Sequence, residues 1–194
     1  MIEAIVGTMK SEKTSTLIDK VKTFENKNIK VFYPSCCNKL DGYVCSRKDN
    51  KKIKGIKVFN ISDLYNNLNN TDVIFIDEVQ FIISTSGIND FMSFLEYCDS
   101  NNIDVYLVGL QVDYLSNSFE IIQRVLPYCD KVTVLTAKCE ICGKENATRC
   151  VRYNNDILDC DPSSSLILIE SEKVVYKSVC KECYRKLTSS PAIK

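Results

Sequence analysis

Short apolar runs that stop abruptly, alternating with amphipathic stretches, constrain this 194-residue chain more than any other feature. Ile2–Val6 halts at Gly7, and Ile29–Tyr33, Ile56–Phe59, Val73–Ile76, Val105–Val108 and Lys131–Leu135 follow. A strand with little polar alternation is buried on both faces, which is the situation inside a parallel sheet covered by helices. Between the runs, Leu17, Ile18, Val21 and Phe24 recur at helical spacing, as do Ile88, Phe91, Phe94 and Leu95. Further helices are predicted over about Ile61–Leu68, Gly87–Ser100 and Phe119–Leu126. The pattern predicts an α/β fold, a mostly parallel sheet with helices on both faces. The polar segment Pro34–Gly55 has no periodicity and reads as a loop. The rhythm stops near Ala137, so the chain divides into an α/β domain over 1–136 and a small lobe over 137–194 with little that is helical.

Composition narrows the chemistry. Lysine plus arginine (25) equals aspartate plus glutamate (25), so the excess of positive charge typical of a nucleic-acid binder is missing and no nucleic-acid partner is expected. There is no histidine, which removes His bases, Ser-His-Asp triads and His metal ligands. No apolar run approaches the ~20 residues that span a bilayer, so no membrane partner is expected. The first residues also lack the basic and apolar regions of a signal peptide. A soluble, cytoplasmic protein is expected.

Eleven cysteines are many for this length. Four of them form two Cys-x-x-Cys pairs, Cys139/Cys142 and Cys180/Cys183. A two-residue spacer turns both thiolates toward one ion, and two such turns complete a tetrahedral site. Gly143 eases the turn after the first pair. Soft sulfur ligands favour Zn²⁺, held structurally because no coordination position stays open. A disulfide or redox pair is the alternative. Cys150 and Cys160 lack that spacing and read as free thiols.

Between the first strand and the first helix stands Gly7-Thr8-Met9-Lys10-Ser11-Glu12-Lys13-Thr14. It matches the phosphate-loop pattern G-x-x-x-x-G-K-[ST] except that Glu12 replaces the second glycine. In an intact loop, backbone N–H groups and the helix N-terminus hold the phosphates of the ligand. Lys13 would reach the β- and γ-phosphates, and the Thr14 hydroxyl would bind Mg²⁺. Glu12 sets a carboxylate beside an anionic ligand, at a position whose backbone conformation suits glycine better. Val73–Ile76 runs into Asp77 and Glu78, the form of a strand-end Mg²⁺ carboxylate with a second acid beside it. Ligands of open α/β sheets gather at that edge, where Glu78 can serve as a general base. An unused strand-turn-helix and a solvated acidic turn are the alternatives.

Taken together, these residues resemble the tetrameric, zinc-containing thymidine kinases of bacteria, large DNA viruses and the eukaryotic cytosol. The resemblance runs from Ile5 to about Tyr184. It is carried by Gly7-x-Met9-x-Ser11-x-Lys13-Thr14-x-x-Leu17, Asp77-Glu78-Val79-Gln80-Phe81 and Gly109-Leu110-x-x-Asp113-Tyr114 with Phe119 beyond. Leu135-Thr136-Ala137-Lys138-Cys139-x-x-Cys142 and Tyr176-x-x-x-Cys180-x-x-Cys183-Tyr184 complete it. The resemblance implies a P-loop α/β domain plus a zinc lobe whose lasso loop closes over the nucleoside. It implies transfer of the ATP γ-phosphate to the 5′-hydroxyl of thymidine with Mg²⁺, and a homotetramer. By the same resemblance Glu78 is the proton acceptor, and Gly7, Thr8, Met9, Lys10, Ser11, Glu12, Lys13, Thr14, Asp77 and Gln80 border ATP. Mg²⁺ falls to Thr14 and Asp77. Met9, Tyr114 and Phe119 become walls of the base pocket, closed by the lasso Leu166, Ile167, Leu168 and Ile169 and by Tyr176. Alone, Tyr114 and Phe119 would read as ordinary core.

The departures fall mainly on phosphate, metal and loop positions. Besides Glu12, the family's Asp-x-Arg reads Asp41-Gly42-Tyr43, so a phosphate-binding arginine is missing, and Arg47 is the candidate replacement. Gln111 stands where an acid is usual, and Glu170-Ser171 where the lasso ends in two glycines. The alternative function is a thymidine-kinase-like nucleoside- or nucleotide-binding protein with weak or no kinase activity.

Overall fold

The computed structural model describes residues 1–37, 42–82, 87–166, 168 and 170–189. Six strands form one parallel sheet, and the chain builds it in α/β order. β1 (Ile2–Gly7) leads through a loop to α1 (Lys13–Val21), and β2 (Ile29–Pro34) follows. Next come β3 (Tyr43–Cys45), β4 (Lys52–Lys54), β5 (Ile56–Val58) and α2 (Ile61–Asn66). β6 (Val73–Ile76), α3 (Ile88–Ser100), β7 (Asp104–Leu110), α4 (Glu120–Val125) and β8 (Lys131–Leu135) complete this part. The strand order is β5-β2-β6-β7-β1-β8. Every pairing in it is parallel, with registers such as Ile5↔Val108 and Phe75↔Tyr106.

The strands are apolar throughout because both faces are covered. Ala4, Val6, Phe32, Ile74, Ile76, Val105 and Leu107 pack under α2, α3 and α4. The alternate residues Ile5, Val31, Tyr33, Val73, Phe75, Tyr106 and Val108 pack under Leu17, Ile18 and Val21 of α1. Helix α2 is fixed at its start by a capping box, Asn60 accepting from the Asp63 N–H while the Asp63 side chain answers the Asn60 backbone.

The segment expected to be a loop, Pro34–Gly55, contains the β3–β4 hairpin, paired Tyr43↔Lys54 to Cys45↔Lys52. Strands of only three residues leave no legible period. Val44 nonetheless anchors the hairpin under α1, fully buried.

Beyond β8 the chain builds a three-stranded antiparallel sheet, β10-β9-β11, from β9 (Arg149–Asn154), β10 (Ile157–Asp159) and β11 (Val174–Val179). It also contains α5 (Lys181–Thr188), a helix that the pattern of this tail does not predict. Its N-cap is Cys180, whose sulfur accepts from the Cys183 N–H. No described helix is long and apolar enough to cross a membrane.

Candidate functional site

The loop from Gly7 to Thr14 leaves the carboxyl end of β1, where ligands of open α/β sheets gather. Gly7 has no room for a side chain: a Cβ there would lie 2.4 Å from Ser11 Oγ and 2.7 Å from the Leu135 carbonyl. The loop winds about the Thr8 carbonyl, which accepts from Ser11 Oγ at 2.8 Å and from Lys13 Nζ at 2.6 Å. Lys10 and Glu12 both sit in the left-handed region, at φ 60° and 63°. Glu12 therefore adopts the backbone conformation for which glycine is suited, at a cost of ~1 kcal/mol. Its carboxylate turns outward and pairs with Lys48 at the tip of the β3–β4 hairpin. Lys10 pairs instead with Glu140 at 2.7 Å and also donates to the Tyr176 carbonyl.

The hairpin tip makes two more links. Asp49 accepts from Ser15 Oγ on α1 at 2.6 Å and pairs with Lys51 at 2.8 Å. Lys51 and Ser15, with Ser46, hold its carboxyl well below the usual carboxylate range. Arg47 pairs with Glu170. The hairpin cation beside the 7–14 loop is thus Lys48. Arg47, the replacement expected from its place in the sequence, is turned to Glu170 instead. Asp41, Ile167 and Ile169 lie outside the described residues.

Strand β6 delivers the carboxylates. Asp77 is 1% exposed, and its Oδ2 accepts from Thr14 Oγ1 at 3.3 Å, joining the end of β6 to the end of the 7–14 loop. Glu78 follows in the left-handed region, φ 53°. Its Oε2 accepts from Gln80 Nε2 at 2.7 Å, while Gln80 Oε1 accepts from the Leu110 N–H at 2.9 Å. Gly109 makes that route possible, since a Cβ there would stand 2.4 Å from Gln80 Oε1. Gln111 donates to the Thr148 carbonyl and so ties β7 to the small lobe.

Met9 connects this loop to an apolar cluster of Tyr114, Cys150 and Tyr176, with Leu115 and Val174 packed beside it. Tyr114 is 4% exposed, and its hydroxyl donates to the Asp161 carbonyl at 2.8 Å. Tyr176 Oη donates to the Leu168 carbonyl at 3.1 Å. Leu166 is exposed. Phe119 stands apart from the cluster, in the main core, with its ring edge-on to Phe81 at 5.9 Å. Cys150 is buried here, and burial pushes its thiol up to about 12. By spacing alone Cys150 is only a free thiol, and Arg152 and Asp159 carry no motif. The sequence signal for Arg152 is a charge inside an otherwise apolar strand, Val151-Arg152-Tyr153.

Cys139, Cys142, Cys180 and Cys183 bring their four sulfurs within 4.8 Å of one another. The Cys142–Cys180 sulfur separation is 3.8 Å. A tetrahedron with Zn–S bonds of about 2.3 Å has edges of about 3.8 Å, so the four thiolates fit a zinc ion. Gly143, at φ +76°, makes the turn after Cys142, and its N–H donates to the Cys139 carbonyl. Burial raises the Cys139 thiol, but N–H groups of Cys142 and Cys180 outweigh it and lower its pKa, whereas burial raises the Cys183 thiol, so the fit to a metal rests on the sulfur geometry.

The family model for thymidine kinase matches residues 1–184. A thymidine kinase of Pseudothermotoga lettingae is 27% identical over 188 residues, covering 95% of each chain. One from Choristoneura biennis entomopoxvirus is 29% identical over 201 residues, covering 95% of this chain and 96% of its own. A third, from Mycoplasmoides gallisepticum, is 31% identical over 148 residues, 74% of this chain and 64% of the relative.

Proposed function

The chain belongs to the thymidine kinase family, and from that premise we propose that it transfers the γ-phosphate of ATP to the 5′-hydroxyl of thymidine. One observation carries the reading: Met9 belongs at once to the phosphate loop and to the Tyr114–Cys150–Tyr176 cluster. The 7–14 loop and an aromatic cluster therefore adjoin, which supports a nucleoside held beside the phosphates, as phosphoryl transfer requires. Tyrosine faces and backbone carbonyls suit a nucleobase, which offers a π-face and polar edges.

In this reading the loop 7–14 and the N-terminus of the nine-residue α1 hold the triphosphate. Lys13 exchanges the Thr8 carbonyl for phosphate oxygens. Thr14 and Asp77, already joined, are the residues that would hold Mg²⁺, which neutralises phosphate charge when bound. Glu78 accepts the proton of the attacking 5′-hydroxyl, and Gln80 orients its carboxylate by donating to Oε2. Tyr114, Tyr176 and Met9 wall the base, with Leu166–Ile169 as the lasso; Phe119, packed against Phe81 in the main core, stands outside this wall. The four-cysteine ion is Zn²⁺ and is structural. The working division is an α/β domain over 1–136 and a lasso-bearing zinc lobe over 137–194.

A homotetramer completes the proposal. The edge strand β8 exposes Val132 and Val134, an apolar sheet margin available to a second copy. An ADP-release assay with Mg²⁺·ATP and a panel of nucleosides tests the activity. Thymidine-dependent ADP formation is expected. Thymidine binding without ADP formation would replace the kinase by the nucleoside-binding alternative.

A further inference from the structure

Arg152 is a fully buried cation in the middle of β9. A buried guanidinium is tolerated only with its donors satisfied. Here Nε and Nη2 both donate to Asp159 Oδ2, at 3.0 and 2.7 Å. Nη1 donates to the Ser165 carbonyl at 2.6 Å and, more weakly, to Tyr176 Oη at 3.4 Å. The flat face of the guanidinium lies 3.6 Å from the centroid of the Tyr114 ring, a cation–π contact.

Each partner leads back to the same segment. Tyr114 donates to the Asp161 carbonyl and Tyr176 to the Leu168 carbonyl. The other oxygen of Asp159, Oδ1, accepts from the Asp161 N–H at 3.2 Å and from Ser164 Oγ at 3.1 Å. One side chain thus fixes both tyrosines and, directly or through Asp159, the backbone at Asp161 and Ser165 and the Ser164 hydroxyl. Its hydrogen bonds among the described residues go to this segment, its ion-pair partner and Tyr176, away from the cysteine cluster and the phosphate loop.

We propose that Arg152, paired with Asp159, is a positioning residue that sets the two tyrosine walls and the strand-to-strand segment above them as one unit for nucleoside binding. The proposal rests on reading that cluster as the nucleoside pocket. Lysine cannot replace it, because a point-charge ammonium offers neither the fork for Asp159 nor the flat face for Tyr114.

The test uses the full chain carrying Arg152→Lys or Asp159→Asn. A third form, Arg152→Met/Asp159→Leu, removes both charges together and serves if a single change unfolds the lobe. The readouts are KM for thymidine, KM for ATP, bound zinc, and hydrogen exchange of the peptide covering 160–168. Thymidine KM should rise about 10- to 100-fold, the scale of a roughly 1 Å misplacement, with ATP KM within about twofold and zinc unchanged. Exchange over 160–168 should quicken at least about tenfold while peptides around 139–144 and 180–188 keep their rates. Equal rises in both KM values, or faster exchange spread over the whole lobe, would show a merely structural role and overturn the proposal. So would an unchanged thymidine KM. A wild type that turns over no nucleoside would instead refute the kinase reading, and exchange confined to 160–168 would still support the anchoring role.

Discussion

Removing the Lys48 ammonium should expose the phosphate loop to its own carboxylate. Glu12 is the residue that departs most sharply from a phosphate loop, and its charge is met by Lys48 rather than left facing the ligand. The pair is exposed, 48% at Glu12 and 63% at Lys48, so its contribution to folding is about 0–1 kcal/mol. Its effect on ATP is larger. An unpaired carboxylate about 8 Å from a phosphate oxygen is repelled by about 1–2 kcal/mol at an effective dielectric of 20–40. Lys48→Ala is therefore expected to weaken ATP about 5- to 30-fold at low salt, and less as added salt screens the charge. In Lys48→Ala/Glu12→Gln the affinity should return to within about twofold of wild type. Glu12→Gly alone leaves the Lys48 ammonium uncompensated and should tighten ATP by about 5- to 30-fold at low salt, and it should raise stability by up to ~1 kcal/mol, since it relieves the left-handed backbone. Calorimetric titration of Mg²⁺·ATP into the four proteins measures this cycle. Unchanged affinity in Lys48→Ala would refute the compensation argument. Equal weakness in the single and double variants would show that Lys48 acts on the phosphates directly.

Three further outcomes are expected. Metal analysis should find about one Zn²⁺ per chain, and Cys183→Ser should lower stability by several kcal/mol, because metal binding in so small a lobe is folding energy; zinc-free, fully stable protein would contradict this. Gly109→Ala should destabilise by about 1–3 kcal/mol, since its Cβ enters the space of Gln80 Oε1, and should depress turnover by freeing Glu78; unaltered melting and turnover would refute it. Burial raises the Glu3 carboxyl, but hydrogen bonds from Lys20 and Thr133 outweigh it, so its folded pKa lies below 4.5. The stability it contributes is present above that value and lost as pH falls through the folded one, so the wild type should lose more urea resistance between pH 5 and 3 than Glu3→Gln; parallel pH profiles would refute it.

The parts of the molecule legible in sequence are those set by local pattern. Val73–Ile76 and Val105–Val108 are apolar at every position because α1 takes one face and α2 to α4 the other, and that burial announces a parallel sheet. The left-handed conformation of Glu12 follows from the loop geometry that a glycine normally serves. The convergence of the two Cys-x-x-Cys turns follows from their spacing. Illegible features depend on partners distant in the chain. Glu12 meets Lys48, and Arg47 meets Glu170, across sequence separations that carry no periodic signal. The β3–β4 hairpin is too short to show a period. Arg152 has its meaning only once β10, residues 161–165 and both tyrosines are in place around it.

Phosphoryl transfer based on Glu78 is the central claim, and turnover and thymidine binding of Glu78→Gln, measured on one preparation, test it most directly. The expected result is a turnover lower by about 10²- to 10⁴-fold with thymidine affinity within about threefold of wild type, because the base acts only on the proton leaving the 5′-hydroxyl. Undiminished turnover, or loss of binding equal to the loss of turnover, would contradict the assignment of Glu78 as the proton acceptor.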